Sequence, residues 1–115
     1  MQPRSTTPDL YNGLTRLEPT LPSSAYWDAG AYQRDLDAIW YRSWLLVCRE
    51  TDLAQRLSFR TFRIGTQDIV VLRDETGDLR AFHNTCRHRG SQLCQESVGR
   101  LKARLITCPY HAWSY

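Results

Sequence analysis

Two short stretches near the end of the 115-residue sequence, Cys86-Arg87-His88-Arg89-Gly90 and Cys108-Pro109-Tyr110-His111-Ala112-Trp113, each set one thiol beside one imidazole. The first reads C-x-H and the second C-x-x-H. Thiolate and imidazole are soft to borderline ligands, so Cys86, His88, Cys108 and His111 form a candidate metal set. Their order bears on which metal. A structural zinc site with two cysteines and two histidines usually takes like ligands together, as C-x-x-C followed by H-x-x-x-H. A two-iron, two-sulfide cluster with two cysteines on one iron and two histidines on the other needs each loop to give one ligand to each iron. A C-x-H loop facing a C-x-x-H loop does this, and the mixed order favours the cluster. A zinc-stapled binding module is the alternative from another class.

Read with Arg87, Arg89, Gly90 and the run from Cys108 to Tyr115, the motif resembles the Rieske [2Fe-2S] domain of ring-hydroxylating (Rieske non-heme iron) oxygenase large, or α, subunits. The likeness extends back through Thr20-Leu21-Pro22 and the Trp-rich segment after it. Within that family, Thr85 to Ser91 with Leu93-Cys94 and Cys108 to Trp113 are most similar to the branch acting on quaternary ammonium compounds such as glycine betaine.

The resemblance implies thiolates of Cys86 and Cys108 on one iron and neutral imidazoles of His88 and His111 on the other. It implies a reductase or ferredoxin as electron donor. It also implies a further domain with a mononuclear non-heme Fe(II), where dioxygen is activated and a small-molecule substrate hydroxylated or demethylated. In the family the subunits form a homotrimer, with an acidic residue linking the position of His111 to the neighbouring subunit's iron. Neither that acid nor the ligands of the mononuclear iron are among these residues. The expectation is therefore an N-terminal fragment of an oxidoreductase, with no catalytic residue of its own and a Rieske domain cut short after the second loop. A free-standing Rieske ferredoxin is the runner-up, and the long segment before the first strand stands against it.

Exchanging two thiolates for imidazoles removes negative charge and raises the potential, into a range of about −150 to +300 mV. Respiratory-chain Rieske proteins brace the cluster with a disulfide between the ligand loops. Tyr110 occupies the second loop's position for it, and Cys94 lies beyond the first loop, so the lower-potential class is implied. Arg87 and Arg89 either favour the more negative reduced cluster or are surface charge. Gly90 allows a sharp turn, Pro109 stiffens the second loop, and Tyr110, Trp113 and Tyr115 shield the cluster or pack beneath it.

The expected fold is mainly β with one N-terminal helix, an incomplete Rieske-type antiparallel β-sandwich carrying the two cluster-binding loops. Residues 1–24, punctuated by Pro3, Pro8, Pro19 and Pro22, read as an extended arm. Residues 25–45 read as an amphipathic helix, capped by Asp28 and running to about Trp44, with Tyr32, Leu36, Ile39, Trp40 and Ser43 on a face packed into the core. Residues 46–115 form the Rieske domain. A meander of short antiparallel strands is expected, opening with the apolar run Leu45–Arg49 and an alternating strand, Phe59–Ile64. Asp68–Arg73, with Ile69 to Leu72 continuous, reads as a strand buried on both sides. A turn at Asp74–Asp78 leads to a returning strand, Leu79–His83. A fifth strand is expected at Arg104–Thr107, with Ser91–Lys102 as a long connection. Cys48 reads as a buried hydrophobe, Cys94 as a free thiol, and His83 as a satisfied structural histidine.

Net charge is +3, and all but Lys102 of the 15 basic residues are arginine, spread among 12 acids without a block. That pattern argues against nucleic-acid binding. The first twenty residues lack the apolar core of a signal peptide, and no apolar run is long enough for a membrane span. Two of the four cysteines sit in ligand loops, so a reducing, cytoplasmic setting is expected.

Overall fold

A computed structural model describes residues 19–115, so most of the expected N-terminal arm lies outside the described residues. The chain divides into two units, residues 1–35 and 36–115. In the first, a 3-10 turn, Ser23–Tyr26, precedes helix α1, Ala29–Asp35. The cap is where the sequence put it: Oδ2 of Asp28 accepts the N–H of Ala31 at 2.7 Å, which satisfies a free amide of the first turn. Tyr32, expected in the core, is exposed.

The second unit opens with a π-helical turn, Leu36–Trp40, closed by the N–H of Tyr41 donating to the carbonyl of Leu36 at 2.9 Å. The helix expected to reach about Trp44 therefore stops at Trp40. The wider turn brings residues five apart onto one side. Leu36 and Tyr41 both meet Gly65, which has φ +54° in the first hairpin turn and no room for a Cβ. Tyr41 Oη also accepts the N–H of Thr66 at 3.2 Å. Leu36 is buried, whereas Ile39 and Trp40 are exposed like Tyr32, so of the face expected in the core only Leu36 is buried.

Four antiparallel strands follow: β1 Ser58–Ile64, β2 Gln67–Arg73, β3 Leu79–His83 and β4 Val98–Arg100, in the order β3-β2-β1-β4. Register pairs Phe59 with Leu72, Thr61 with Val70, and Val70 with Phe82. Because side chains alternate across a strand, these residues share one face. On it Phe59, Val70 and Leu72 form a core with Cys94 and Ile106, flanked by Leu93 and Leu101. The last four come from the chain around the ligand loops, so one sheet face is the floor on which both loops are built. The described residues thus hold one four-stranded sheet of the expected sandwich.

Three expectations for the strands are corrected. β2 is buried on one face only: Val70 and Leu72 are sealed, while Ile69 and Val71 are half-buried. Leu45–Arg49 pairs with no strand among the described residues and runs as coil into a 3-10 turn, Glu50–Leu53, leaving Cys48 half-buried. Arg104–Thr107 joins no sheet, because its partner is the far arm of its own loop: Ile106 and Tyr115 exchange backbone hydrogen bonds of 2.9 and 3.0 Å. The connection Ser91–Lys102 conversely hides β4, which places Gly99 opposite Phe59. A Cβ at residue 99 would lie 2.6 Å from the Phe59 ring, so the glycine lets the strand close over it.

The Asp74–Asp78 turn forms as expected, with Gly77 at φ +102°. Oδ1 of Asp74 accepts the N–H groups of Thr76, Gly77 and Asp78 at 3.0, 2.9 and 2.8 Å. His83 is exposed rather than enclosed. Among the described residues no helix is long and apolar enough to cross a membrane.

Candidate metal centre

Both ligand loops use the same backbone device. In the first, the N–H of Cys86 donates to the carbonyl of Ser91 at 2.8 Å, and the N–H of Gly90 returns to the carbonyl of Cys86 at 2.9 Å. In the second, the N–H of Cys108 donates to Trp113 at 2.7 Å, and the N–H of Ala112 returns to Cys108 at 3.0 Å. Each loop thus opens on its cysteine and turns back through a left-handed residue four positions later, Gly90 at φ +69° and Ala112 at φ +57°. Gly90 was legible as a turn residue. Ala112 was not, because alanine rarely takes that conformation. Antiparallel bridges, Thr85 to Gln92 and Thr107 to Ser114, close the two loop bases.

The loops bring all four candidate ligands together in two pairs. Cys86 and Cys108 are 2% and 3% exposed, close enough that the Cys108 thiol acts on the titration of Cys86. His88 and His111 lie at the surface, edge to face with ring centroids 4.8 Å apart. Among the described residues no three histidine, cysteine or carboxylate side chains gather closely enough to hold a single ion. A zinc staple requires four donors about one point, whereas a two-iron cluster takes thiolates on one side and imidazoles on the other. The residues present fit the latter.

Aromatic side chains fix the imidazoles. Trp113 stacks on His88 at 4.9 Å with planes 2° apart, and the Tyr110 ring centroid is 3.8 Å from that of His111. Tyr115 has a more specific role than the packing expected of it. The N–H of Arg87 donates to Tyr115 Oη at 3.0 Å, which leaves the hydroxyl proton for Sγ of Cys86, 3.1 Å away. That bond is the largest influence holding the Cys86 thiol below its ordinary pKa; burial opposes it, and the backbone N–H groups of His88 and Arg89 and the Cys108 thiol reinforce it. Reciprocally, the Tyr115 hydroxyl is pushed above its ordinary value, first by Cys86. The site is therefore prepared to hold sulfur as an anion.

Cys94, which the sequence left as a free thiol, is free and buried in the sheet core. Burial, and then the charge of Asp68, push its pKa up, so it is a poor nucleophile and a poor ligand. Asn84 was not anticipated at all; it is fully buried two residues before Cys86.

Residues 43–115 match the profile of the family described as Rieske [2Fe-2S] domain. Over 96 residues, 84% of this chain, the sequence is 38% identical to the glycine betaine monooxygenase oxygenase subunit of Pseudomonas aeruginosa UCBPP-PA14, and covers 22% of that protein. It is also 38% identical over 100 residues to the biphenyl 2,3-dioxygenase subunit alpha of Rhodococcus jostii RHA1, covering 87% of this chain and 20% of that one. Among solved structures, the quaternary ammonium Rieske monooxygenase CntA with gamma-butyrobetaine matches at TM-score 0.77 and 35% identity, over 84% of this chain and 27% of that one. Naphthalene 1,2-dioxygenase from Rhodococcus sp. matches at TM-score 0.75 and 29% identity, over 83% and 21%. The chain spans about a fifth of the length of these curated relatives. Two loops of one design, a buried thiol pair, a surface imidazole pair and the matched profile lead to one conclusion: the chain belongs to the Rieske [2Fe-2S] domain family, with oxygenase subunits as its relatives.

Proposed function

We propose that Cys86 and Cys108 ligate one iron and His88 and His111 the other, in an electron-transfer domain of a Rieske-type oxygenase α subunit. The observation that carries this reading is the division of four donors into a sealed thiol pair and an exposed imidazole pair. When bound, the cluster supplies one-electron redox chemistry. The chain's residues do the rest. Buried thiols keep water from the sulfur side, and Tyr115 with the backbone N–H groups of the first loop stabilises negative charge there. His88 and His111, held by Trp113 and Tyr110, present ring nitrogens at the surface, where an imidazole N–H can donate to a partner or release a proton.

In the whole protein, electrons arrive from a reductase or ferredoxin and pass to a mononuclear non-heme iron that activates dioxygen. The mononuclear iron, the substrate site and a homotrimeric assembly belong to that proposal. The relatives acting on betaines and carnitine make a quaternary ammonium compound the favoured substrate class. A reducing cytoplasm suits two cysteines reserved as ligands.

The test is electron paramagnetic resonance of the anaerobically purified, dithionite-reduced protein, with iron and zinc content. A rhombic signal with the low average g-value of histidine ligation and about two irons per chain supports the assignment. Zinc without a signal overturns it.

A further inference from the structure

We infer that Asn84 is a positioning residue for the first ligand loop: its side-chain amide clasps the Cys94 peptide and so closes the base of the loop that carries Cys86 and His88. Oδ1 of Asn84 accepts the N–H of Cys94 at 2.7 Å, and Nδ2 donates to the Cys94 carbonyl at 2.8 Å. Only one orientation of the amide satisfies both, so the side chain mimics a neighbouring strand. The second Nδ2 proton goes to Oδ1 of Asp68 at 3.3 Å. The backbone joins in: the N–H of Asn84 donates to the Asp68 carbonyl at 2.8 Å, and that of Leu93 to the Asn84 carbonyl at 3.3 Å.

Asp68 ties the clasp to β2. Its Oδ2 accepts from Nε2 of Gln92 at 2.9 Å and from Arg63 at 3.3 Å. Every residue between Asn84 and Cys94 thus hangs from a base joined by paired hydrogen bonds rather than by a covalent bridge. With Asn84 fully buried, no water competes for these bonds, and a lost partner leaves buried polar groups unsatisfied. The second loop has a different base, the backbone exchange between Ile106 and Tyr115. The hydrogen bonds of the clasp therefore all fall at the base of the loop that carries Cys86 and His88.

The inference rests on the ligand assignment proposed above. It predicts that Asn84→Asp, which removes both donors and sets a carboxylate against Asp68 and the Cys94 carbonyl, loosens the loop more than it loosens the sheet. Val70→Ala is the control, since it opens the same core without removing a hydrogen bond of the clasp. The measurement is the rate of cluster loss from the holo protein to a chelator, followed by visible absorbance below the melting transition, with the thermal midpoint of each variant. Asn84→Asp is expected to lose the cluster about 10-fold faster or more than a Val70→Ala protein of comparable midpoint, with a broadened paramagnetic signal. Equal rates at comparable midpoints overturn the clasp as a positioning device and leave Asn84 a contributor to stability only.

Should Asn84→Asp fail to fold, Asp68→Asn carries the test, because it weakens the anchor while leaving the amide on Cys94. Faster loss at an unchanged midpoint supports the inference, and an unchanged rate overturns it. A wild-type protein without a Rieske signal overturns the ligand assignment and the inference together, which separates that failure from a failure of the clasp alone.

Discussion

The phenol hydroxyl of Tyr115 reaches back across the site to Sγ of Cys86, 3.1 Å away, while the N–H of Arg87 occupies its oxygen at 3.0 Å. A residue that follows the second ligand loop therefore sets the electrostatics of the first. The donated bond is stronger to a more electron-rich sulfur, so it favours the reduced centre. Tyr115→Phe removes it without changing the ring. The expected result is a lower midpoint potential, by on the order of 60 mV, the one-electron equivalent of about 1.4 kcal/mol. A potentiometric titration checks this, and an unchanged potential would show that the hydroxyl does not act on the sulfur.

Ala112 occupies the left-handed position that Gly90 fills in the other loop, with φ of +57° against +69°. A Cβ in that conformation crowds the following carbonyl. Ala112→Gly is expected to stabilise the protein by about 1 kcal/mol, less the extra chain entropy that glycine carries when unfolded. Urea unfolding of the two proteins side by side measures the difference; a destabilised variant contradicts the strain argument.

Exchanging one imidazole for a thiolate tests the histidine side of the centre. His111→Cys is expected to retain a cluster, shift its absorption and paramagnetic spectra, and lower the potential toward that of all-cysteine clusters, by up to a few hundred mV. A spectrum and potential identical to wild type would remove His111 from the ligand set.

Acid sensitivity of the β2–β3 turn follows from Asp74. The hydroxyl of Thr76 and the guanidinium of Arg80, followed by the backbone N–H groups of Asp78 and Gly77, hold its carboxyl well below the ordinary 3.8. A depressed folded-state pKa means that the charged form is favoured by folding. The contribution is full above 3.8, diminishes as pH drops below it, and is gone at the folded-state value. Wild type is thus expected to exceed Asp74→Asn in urea midpoint by a constant margin near neutral pH, with the gap closing only in strong acid. A gap that closes between neutral pH and pH 5 would contradict the assignment.

The arginine of β3 that meets this turn shows how local and tertiary information divide. Asp74-Glu75-Thr76-Gly77-Asp78 reads as a turn from residue type alone, since Asp74 satisfies backbone amides a few residues on and Gly77 supplies the positive φ. Arg80 joins the same carboxylate at 2.9 Å only because the hairpin closes. The helix shows the reverse. Its start at Asp28 was legible, because a cap is a local bond. Its end at Trp40 was not, because the π turn answers to Gly65, far along the chain.

By itself the sequence pointed to the candidate donor set and the family resemblance, and it displayed three of the four strands and the cap and turn residues. These depend on residue type and short spacing, which a linear chain displays directly. Tertiary structure alone decided that thiols lie inside and imidazoles outside, that Tyr115 bonds to Cys86, that Asn84 clasps Cys94, and that Val98–Arg100 is a strand. Each of these joins residues distant in sequence or turns on burial. A three-residue strand, a lone asparagine and an alanine in a left-handed turn carry no periodic signal, so only the folded chain displays what they do.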